Sequence, residues 1–120
     1  MKRLIAKVNT MGNLKYYYEK DNFKLVCGDS LKILKNIPCK SIDMIFADPP
    51  YFLSGEGISC HGGKMVSVKK GVWDEKIDIK KKHNFNKKWI RLCKNILKDN
   101  GTIWISGTMH NIYSVGMALE

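Results

Sequence analysis

The residues of this chain with the clearest chemical potential form the segment Asp48-Pro49-Pro50-Tyr51, which follows the apolar run Ile42–Ala47. A carboxylate accepts hydrogen bonds from an amine, and each proline offers a carbonyl with no competing N–H. The prolines also fix φ, so the turn is stiff, and the tyrosine contributes a flat aromatic face. The segment therefore predicts a rigid, acceptor-rich site beside an aromatic ring.

Such a site suits the exocyclic amino group of a nucleobase. That nitrogen is a poor nucleophile because its lone pair is delocalised into the ring. Two acceptors that take its N–H protons localise the lone pair, which is a form of electrostatic catalysis. The base must leave the duplex to reach them, and stacking on Tyr51 offsets part of the unstacking cost. The alternative interpretation is that Asp48 only caps the turn before the prolines.

The charge balance agrees with a nucleic-acid partner. The 120 residues include 21 Lys and Arg against 11 Asp and Glu, a net charge of +10. An excess of this size favours a polyanionic partner, and nucleic acid is the first candidate. A lysine-rich solvated surface is the alternative. The length predicts one domain.

The four cysteines have irregular spacing and form no CxxC pair, so no metal site is predicted. The first residues do not resemble a signal peptide. No apolar run approaches the roughly 20 residues that a membrane helix needs. These observations together favour a reduced, cytoplasmic setting.

The pattern of apolar residues and breakers predicts an α/β fold with a parallel sheet. Ligands of such sheets bind at the carboxyl ends of the strands, which is where Asp48 falls. In chain order we predict two short strands joined at Asp21-Asn22, the second over Phe23–Cys27; a helix over Ser30–Pro38; a strand buried on both faces over Ile42–Ala47; a loop over Phe52–Lys82; a helix within Asn84–Gly101 that Gly101 caps; a strand over Thr102–Ser106; and a helix from Met109.

Three blocks of the chain resemble the amino-methylating DNA methyltransferases, which transfer a methyl group from S-adenosylmethionine to adenine N6 or cytosine N4. The blocks are "LVCGDSLKILKNIPCKSIDMIFADPPYF", "GKMVSVKKGVWDE" and "WIRLCKNILKDNGTIWISGTMHNI". Their order is similar to the subgroup whose catalytic half precedes its cofactor half, many of them restriction–modification or cell-cycle adenine methyltransferases. The resemblance implies the Rossmann-like α/β sheet of an S-adenosylmethionine-dependent methyltransferase, with flanking helices. In this chain the sheet is expected to be partial.

The resemblance also assigns roles within the catalytic motif "DPPY". Asp48 accepts a hydrogen bond from the target amine, and the carbonyl of Pro49 is the second acceptor. Pro50 stiffens the turn, and Tyr51 stacks on the flipped base. Adenine N6 is favoured over cytosine N4. Methyltransferases that act on RNA or on protein amides more often carry Asn before the prolines, so Asp48 counts against them.

Further residues receive roles in the same way. Asp29, with Ser30 beside it, resembles the acidic residue that binds the adenine moiety of S-adenosylmethionine, and a plain helix N-cap is a compatible alternative. Lys64, Lys69 and Lys70 lie in the region that faces DNA in relatives. For Trp89, packing in the core is favoured over stacking on a base. Thr108, His110 and Asn111 follow a strand end, so a role beside the cofactor or the substrate is a less favoured hypothesis for them.

Two parts of these enzymes have no counterpart in the sequence: the glycine loop that cradles the cofactor, and a target-recognition region. We therefore expect residues 1–120 to be the amino-terminal, catalytic part of an N-4/N-6 DNA methylase domain. Three hypotheses follow: a truncated enzyme, one chain of a split methyltransferase that a second chain completes, or a catalytically inactive remnant that binds nucleic acid.

Overall fold

A computed structural model describes residues 14–52, 58–67, 75 and 77–120. The first described strands, β1 (Tyr18–Lys20) and β2 (Phe23–Leu25), form an antiparallel hairpin. Asp21 has φ +48 at the predicted turn between them, a left-handed conformation that aspartate tolerates. The second strand ends at Leu25 rather than Cys27. Among the described residues it pairs with β1, as the prediction of two short strands joined by a turn implies.

The short helix α1 (Ser30–Leu34) follows this hairpin, and its N-cap is Asp29. The Asp29 side-chain oxygen Oδ1 accepts a hydrogen bond from the backbone N–H of Leu31 at 2.9 Å. This satisfies one of the N–H groups that have no partner within the helix. The helix ends before the predicted stop at Pro38, with Lys35 as its C-cap.

Within the described residues, the central sheet consists of two parallel strands, β3 (Ile42–Ala47) and β6 (Leu97–Ile105). Ile45 pairs with Ile103, and Ala47 pairs with Ile105. Parallel strands need a long crossover, and the 18-residue helix α2 (Ile79–Ile96) lies between them in the chain. The predicted mixed α/β arrangement is confirmed.

The ends of α2 differ from the prediction. Asp78 caps its start by accepting from the N–H groups of Lys80 and Lys81, so the helix begins inside the predicted loop. It ends at Ile96, and the predicted role of Gly101 as C-cap is wrong. Gly101 lies in β6 beside the irregular pairing of that strand with β3. A Cβ there would lie 3.0 Å from the carbonyl oxygen of Lys98, so a close backbone approach favours the glycine.

The predicted loop also contains a hairpin, β4 (Ile58–His61) and β5 (Lys64–Ser67). Gly62 and Gly63 form its two-residue turn with φ +57 and +79. Two consecutive positive φ angles are the requirement of a type I′ turn, which glycines meet at low cost. The sequence predicts a loop here because glycines interrupt the apolar pattern. Glycines that interrupt a regular element and glycines of a hairpin turn cannot be told apart in a sequence when the flanking strands are short.

The core lies on one face of the central sheet. Its buried cluster is Trp89, Ile90 and Cys93 of α2 with Val115 of α3 (Met109–Leu119). Packed against this cluster are partly buried residues of α1, β3, α2, β6 and α3: Leu31, Leu34, Ile45, Ala47, Phe85, Ile103, Ile105 and Ala118. Trp89 is 5% exposed, which confirms its predicted packing role.

The opposite face of the sheet is open among the described residues. Met44, Phe46 and Trp104 are 60%, 71% and 63% exposed. Neighbouring residues of a strand point to opposite faces, so the helices that cover Ile45 and Ala47 leave these three uncovered. The prediction that β3 is buried on both faces is therefore wrong for the part of the chain that the structure describes.

None of the helices in the described ranges is long and apolar enough to cross a membrane.

Cys93 offers a chemical test of this core. Burial raises the pKa of its thiol above the ordinary 9.0, whereas Cys27 and Cys39 are exposed. Thiolate is the reactive form, so iodoacetamide at pH 8 should alkylate Cys27 and Cys39 of the folded chain and spare Cys93 until denaturant is added. Mass spectrometry of peptides locates the label, and equal labelling of all three would contradict the packing.

The raised pKa of Cys93 also makes the stability of the fold depend on pH. Because the pKa of this thiol is higher in the folded state than in the unfolded state, the thiol contributes to the free energy of unfolding. That contribution is complete below pH 9 and is lost as the pH rises through the folded-state pKa.

Candidate active site

The parallel pairing of β3 and β6 brings the carboxyl ends of both strands to one edge of the sheet. The backbone N–H of Ser106 donates to the carbonyl oxygen of Ala47 at 2.9 Å, which extends the ladder by one residue. Asp48 is the next residue after Ala47 and is exposed. The structure thus places Asp48, exposed to solvent, at the predicted edge with Ser106 beside it.

Two hydroxyl groups hold the Asp48 carboxylate. Tyr51 donates from its phenolic oxygen to Oδ1 of Asp48 at 2.5 Å, and Ser106 Oγ donates to the same oxygen. The two hydroxyl oxygens lie 3.1 Å apart. Hydrogen bonds to an ionised acceptor are stronger than neutral ones, so this arrangement orients the carboxylate. We call Asp48, Tyr51 and Ser106 the carboxylate cluster.

Sequence reasoning had missed Ser106. The available signal was its position at the end of the predicted strand "TIWIS", because residues that end neighbouring parallel strands meet at one edge. The sequence predicts Asp48 as an acceptor and Tyr51 as a stacking residue, and it does not predict the contact between them. Their spacing of three residues across two prolines allows the tyrosine to turn back onto the aspartate.

The turn after Asp48 is fastened to α3 by a side chain. Asn111 is completely buried, and its Nδ2 donates to the carbonyl oxygen of Pro50 at 3.3 Å. Pro49 and Pro50 are half-buried. Neither proline has an N–H, so their own backbone offers no donor to the turn. Thr108, His110 and Asn111 were left open in the sequence, and of these Asn111 is brought to the segment Asp48-Pro49-Pro50-Tyr51.

Phe52 anchors the other side of the turn. Its ring is 7% exposed and packs edge-to-face on Phe85 of α2, with ring centroids 5.6 Å apart. Its φ is +56, in the left-handed region. A bulky residue in that region costs on the order of 1–3 kcal/mol, and it persists where the surroundings hold it. Packing of the buried Phe52 ring maintains this backbone conformation. Tyr51 therefore lies between two residues that are held in place, Pro50 and Phe52.

Asp29 and Ser30 lie elsewhere, after β2 and at the start of α1. Both are exposed. The N-cap interpretation of Asp29 is confirmed by its hydrogen bond to Leu31. A carboxylate has about four acceptor positions, so one cap bond leaves it able to accept others, and its predicted cofactor role stays a prediction.

The predicted DNA-contacting lysines are only partly described. Lys64 is exposed and begins β5, directly after the glycine turn of the hairpin. Lys69 and Lys70 lie outside the described residues. An exposed lysine at a hairpin tip is suited to a phosphate contact, which stays a prediction.

A family model described as DNA methylase matches residues 42–120. The chain therefore belongs to the DNA methylase family, and the family predicted from the "DPPY" motif is confirmed. The match begins at β3 and includes α2, β6 and α3, so every element that builds the carboxylate cluster lies within it.

Three curated relatives agree. Type II methyltransferase M2.LlaDCHI of Lactococcus lactis subsp. cremoris is 61% identical over 106 residues, 88% of this chain and 39% of the relative. M2.DpnII of Streptococcus pneumoniae is 60% identical over 106 residues, 88% of this chain and 40% of the relative. M2.MboI of Moraxella bovis is 47% identical over 109 residues, 89% of this chain and 40% of the relative. The chain thus spans about two-fifths of the length of these relatives.

Proposed function

We propose that this chain is the catalytic part of a site-specific DNA methyltransferase that transfers a methyl group from S-adenosylmethionine to an exocyclic base amine, with adenine N6 favoured over cytosine N4. The observation that carries the proposal is the Asp48 carboxylate, which two hydroxyls orient at the carboxyl edge of parallel strands. Relatives named Type II methyltransferases support it.

The proposed reaction requires two hydrogen-bond acceptors in the turn. The Asp48 carboxylate accepts one N–H of the target amine, and the carbonyl of Pro49 accepts the other. Both acceptors stand ready before the base arrives, so charge that develops on the nitrogen is stabilised without reorganisation. S-adenosylmethionine, when bound, supplies the electrophilic methyl group.

The base must be extruded from the duplex to reach this edge. The Tyr51 ring lies beside the acceptors because its hydroxyl is bonded to Asp48, and its face is suited to stacking on the flipped base. The net charge of +10 favours the DNA backbone, with Lys64, Lys69 and Lys70 as proposed phosphate contacts.

Asp29 and Ser30 are the residues that we propose to bind the cofactor. Their donor set fits: an exposed carboxylate accepts from an amino group or a ribose hydroxyl, and a serine hydroxyl both donates and accepts. The hydrogen bond from the Leu31 N–H to the Asp29 carboxylate favours one orientation of this side chain, which lowers the ordering cost of binding.

We further propose that the fold is a partial Rossmann-like sheet, and that residues 1–120 need additional polypeptide to act. The uncovered apolar face of Met44, Phe46 and Trp104 supports this, because parallel sheets usually carry helices on both faces. A second chain of a split methyltransferase and the remainder of a longer chain both satisfy this requirement. A remnant that only binds nucleic acid is less favoured, since the relatives are named methyltransferases.

The test is to identify the product. DNA of mixed sequence is incubated with S-adenosylmethionine and the complete protein, then digested to nucleosides and analysed by mass spectrometry. We expect N6-methyladenine. N4-methylcytosine would overturn the choice of amine, and unmodified DNA would overturn the proposed reaction.

Ser106 gives a graded prediction. Replacing it with alanine removes one hydroxyl donor to Asp48, and hydrogen bonds to charged groups contribute about 1.5–3 kcal/mol, so kcat should fall roughly 10- to 100-fold. Ser41→Ala is the matched control, because Ser41 lies before the opposite end of β3 and its hydroxyl donates to the carbonyl of Pro38 at 2.7 Å. Steady-state methyl transfer measures both, and equal rates in the two variants would contradict the role of Ser106.

A further inference from the structure

We propose that Asn111 is a positioning residue for the catalytic turn, and that its amide is oriented by a directed hydrogen-bond chain that starts at Trp89. The chain runs from the core of α2 through Asn86 to α3, and ends on the carbonyl of Pro50. The inference rests on the proposed function for its catalytic consequence, whereas the contact itself can be tested without it.

The direction of the chain follows from the chemistry of its first member. The indole Nε1 of Trp89 can only donate, and it donates to Oδ1 of Asn86 at 3.0 Å. Asn86 must then present its Nδ2 on the other side, where it donates to Oδ1 of Asn111 at 2.9 Å. Asn111 in turn presents Nδ2 to the carbonyl oxygen of Pro50 at 3.3 Å. Each amide has one orientation compatible with its neighbour.

Burial makes this orientation costly to change. Asn86 and Asn111 are both 0% exposed, so neither amide can replace a lost partner with water. Flipping Asn111 would set its oxygen against the Pro50 carbonyl and its NH2 against the NH2 of Asn86. Asn86 Nδ2 also donates to Ser114 Oγ at 3.0 Å, which holds the middle of the chain from α3.

The turn receives this donor from outside its own backbone. Pro49 and Pro50 have no N–H, so neither can donate a backbone hydrogen bond that would hold the turn. A donor on the Pro50 carbonyl opposes rotation of the Pro50–Tyr51 peptide. It thereby limits movement of the proposed second acceptor, the adjoining Pro49 carbonyl, and of the Tyr51 ring.

A role confined to core packing would make a different prediction. Packing between α2 and α3 is satisfied equally by any buried contact in that layer, such as Val115, which is 1% exposed and one turn further along α3. Val115→Ala is therefore the matched control: it loosens the same helix and does not touch the chain from Trp89 to Pro50.

The first experiment measures the contact. The amide of Tyr51 reports the carbonyl carbon of Pro50 in a triple-resonance NMR spectrum of the labelled chain. Asn111→Leu preserves much of the volume and removes the donor, so the Pro50 carbonyl carbon should shift upfield, as expected for a lost hydrogen bond. Val115→Ala should leave it in place. Where Asn111→Leu fails to fold, Asn111→Ala replaces it. An unmoved resonance in the Asn111 variant, or an equal shift in Val115→Ala, overturns the inference.

The second experiment measures the consequence in the complete protein. Small displacements of reacting groups cost about 10²-fold in rate, so Asn111→Leu should lower kcat by about 10²-fold and change KM for DNA by less than about 3-fold. An active wild type with an unaffected Asn111→Leu variant overturns the positioning role alone. A wild type that transfers no methyl group overturns the proposed function, and the positioning role of Asn111 in catalysis with it.

Discussion

Replacing Asp48 with alanine is expected to lower kcat of the proposed methyltransferase by at least about 10³-fold, because the substitution removes the proposed charged acceptor of the target amine. The loss should appear in kcat rather than in KM for DNA, since the hydrogen bond strengthens as charge develops on the nitrogen. Single-turnover transfer of a labelled methyl group to DNA measures the chemical step directly.

Asp43 provides the matched control on the same strand. It lies near the opposite end of β3, exposed, with its Oδ1 2.6 Å from Nζ of Lys98. Exposed ion pairs contribute little to stability, so Asp43→Ala should retain nearly full turnover. Retained turnover in Asp48→Ala, or an equal loss in both variants, would overturn the assignment of Asp48.

Replacing Trp89 with alanine is expected to lower the free energy of unfolding by about 3–5 kcal/mol. The side chain is 5% exposed at the centre of the core cluster, and its indole N–H is bonded to the buried Asn86. The substitution therefore leaves both a cavity and an unsatisfied amide oxygen. Denaturant unfolding followed by far-ultraviolet circular dichroism measures the change.

Trp104→Ala is the matched control for Trp89→Ala, because Trp104 lies on the open face of the sheet. Its side chain is 63% exposed, so Trp104→Ala should change the free energy of unfolding by less than about 1 kcal/mol. Equal costs at the two tryptophans would contradict a core confined to one face of the sheet.

Local features of the sequence predicted much of this fold. The apolar run Ile42–Ala47 and the i, i+3, i+4 spacing of Trp89, Cys93 and Ile96 depend on residues near in the chain, and both elements are present. The position of Asp48 followed from one rule about the edges of parallel sheets. The end of α2 was predicted less accurately. A Cβ at Gly101 would lie 3.2 Å from the carbonyl oxygen of Asp43 in β3, in addition to its approach to Lys98, and this β3 contact is more than fifty residues away in the chain.

The long-range contacts of the site lay beyond this reasoning. Ser106 reaches Asp48, and Asn111 reaches Pro50, only after two strands and two helices have packed. A buried Asn on a helix looks like a polar surface residue in the sequence, since its partners are set by tertiary structure. The open face of Phe46 was hidden for a related reason: a continuous apolar run predicts burial on both faces and does not show what covers them.

The most direct test of the central claim is transfer of a labelled methyl group from S-adenosylmethionine to DNA. Three reactions are compared. The first contains residues 1–120 alone, and the second is a mixture of residues 1–120 with a polypeptide that supplies the remainder of the relatives' length. The third is the same mixture with Asp48→Ala. We predict label in the DNA from the wild-type mixture and loss of that label with Asp48→Ala. Unlabelled DNA from the wild-type mixture, or equal labelling with Asp48→Ala, would contradict the account.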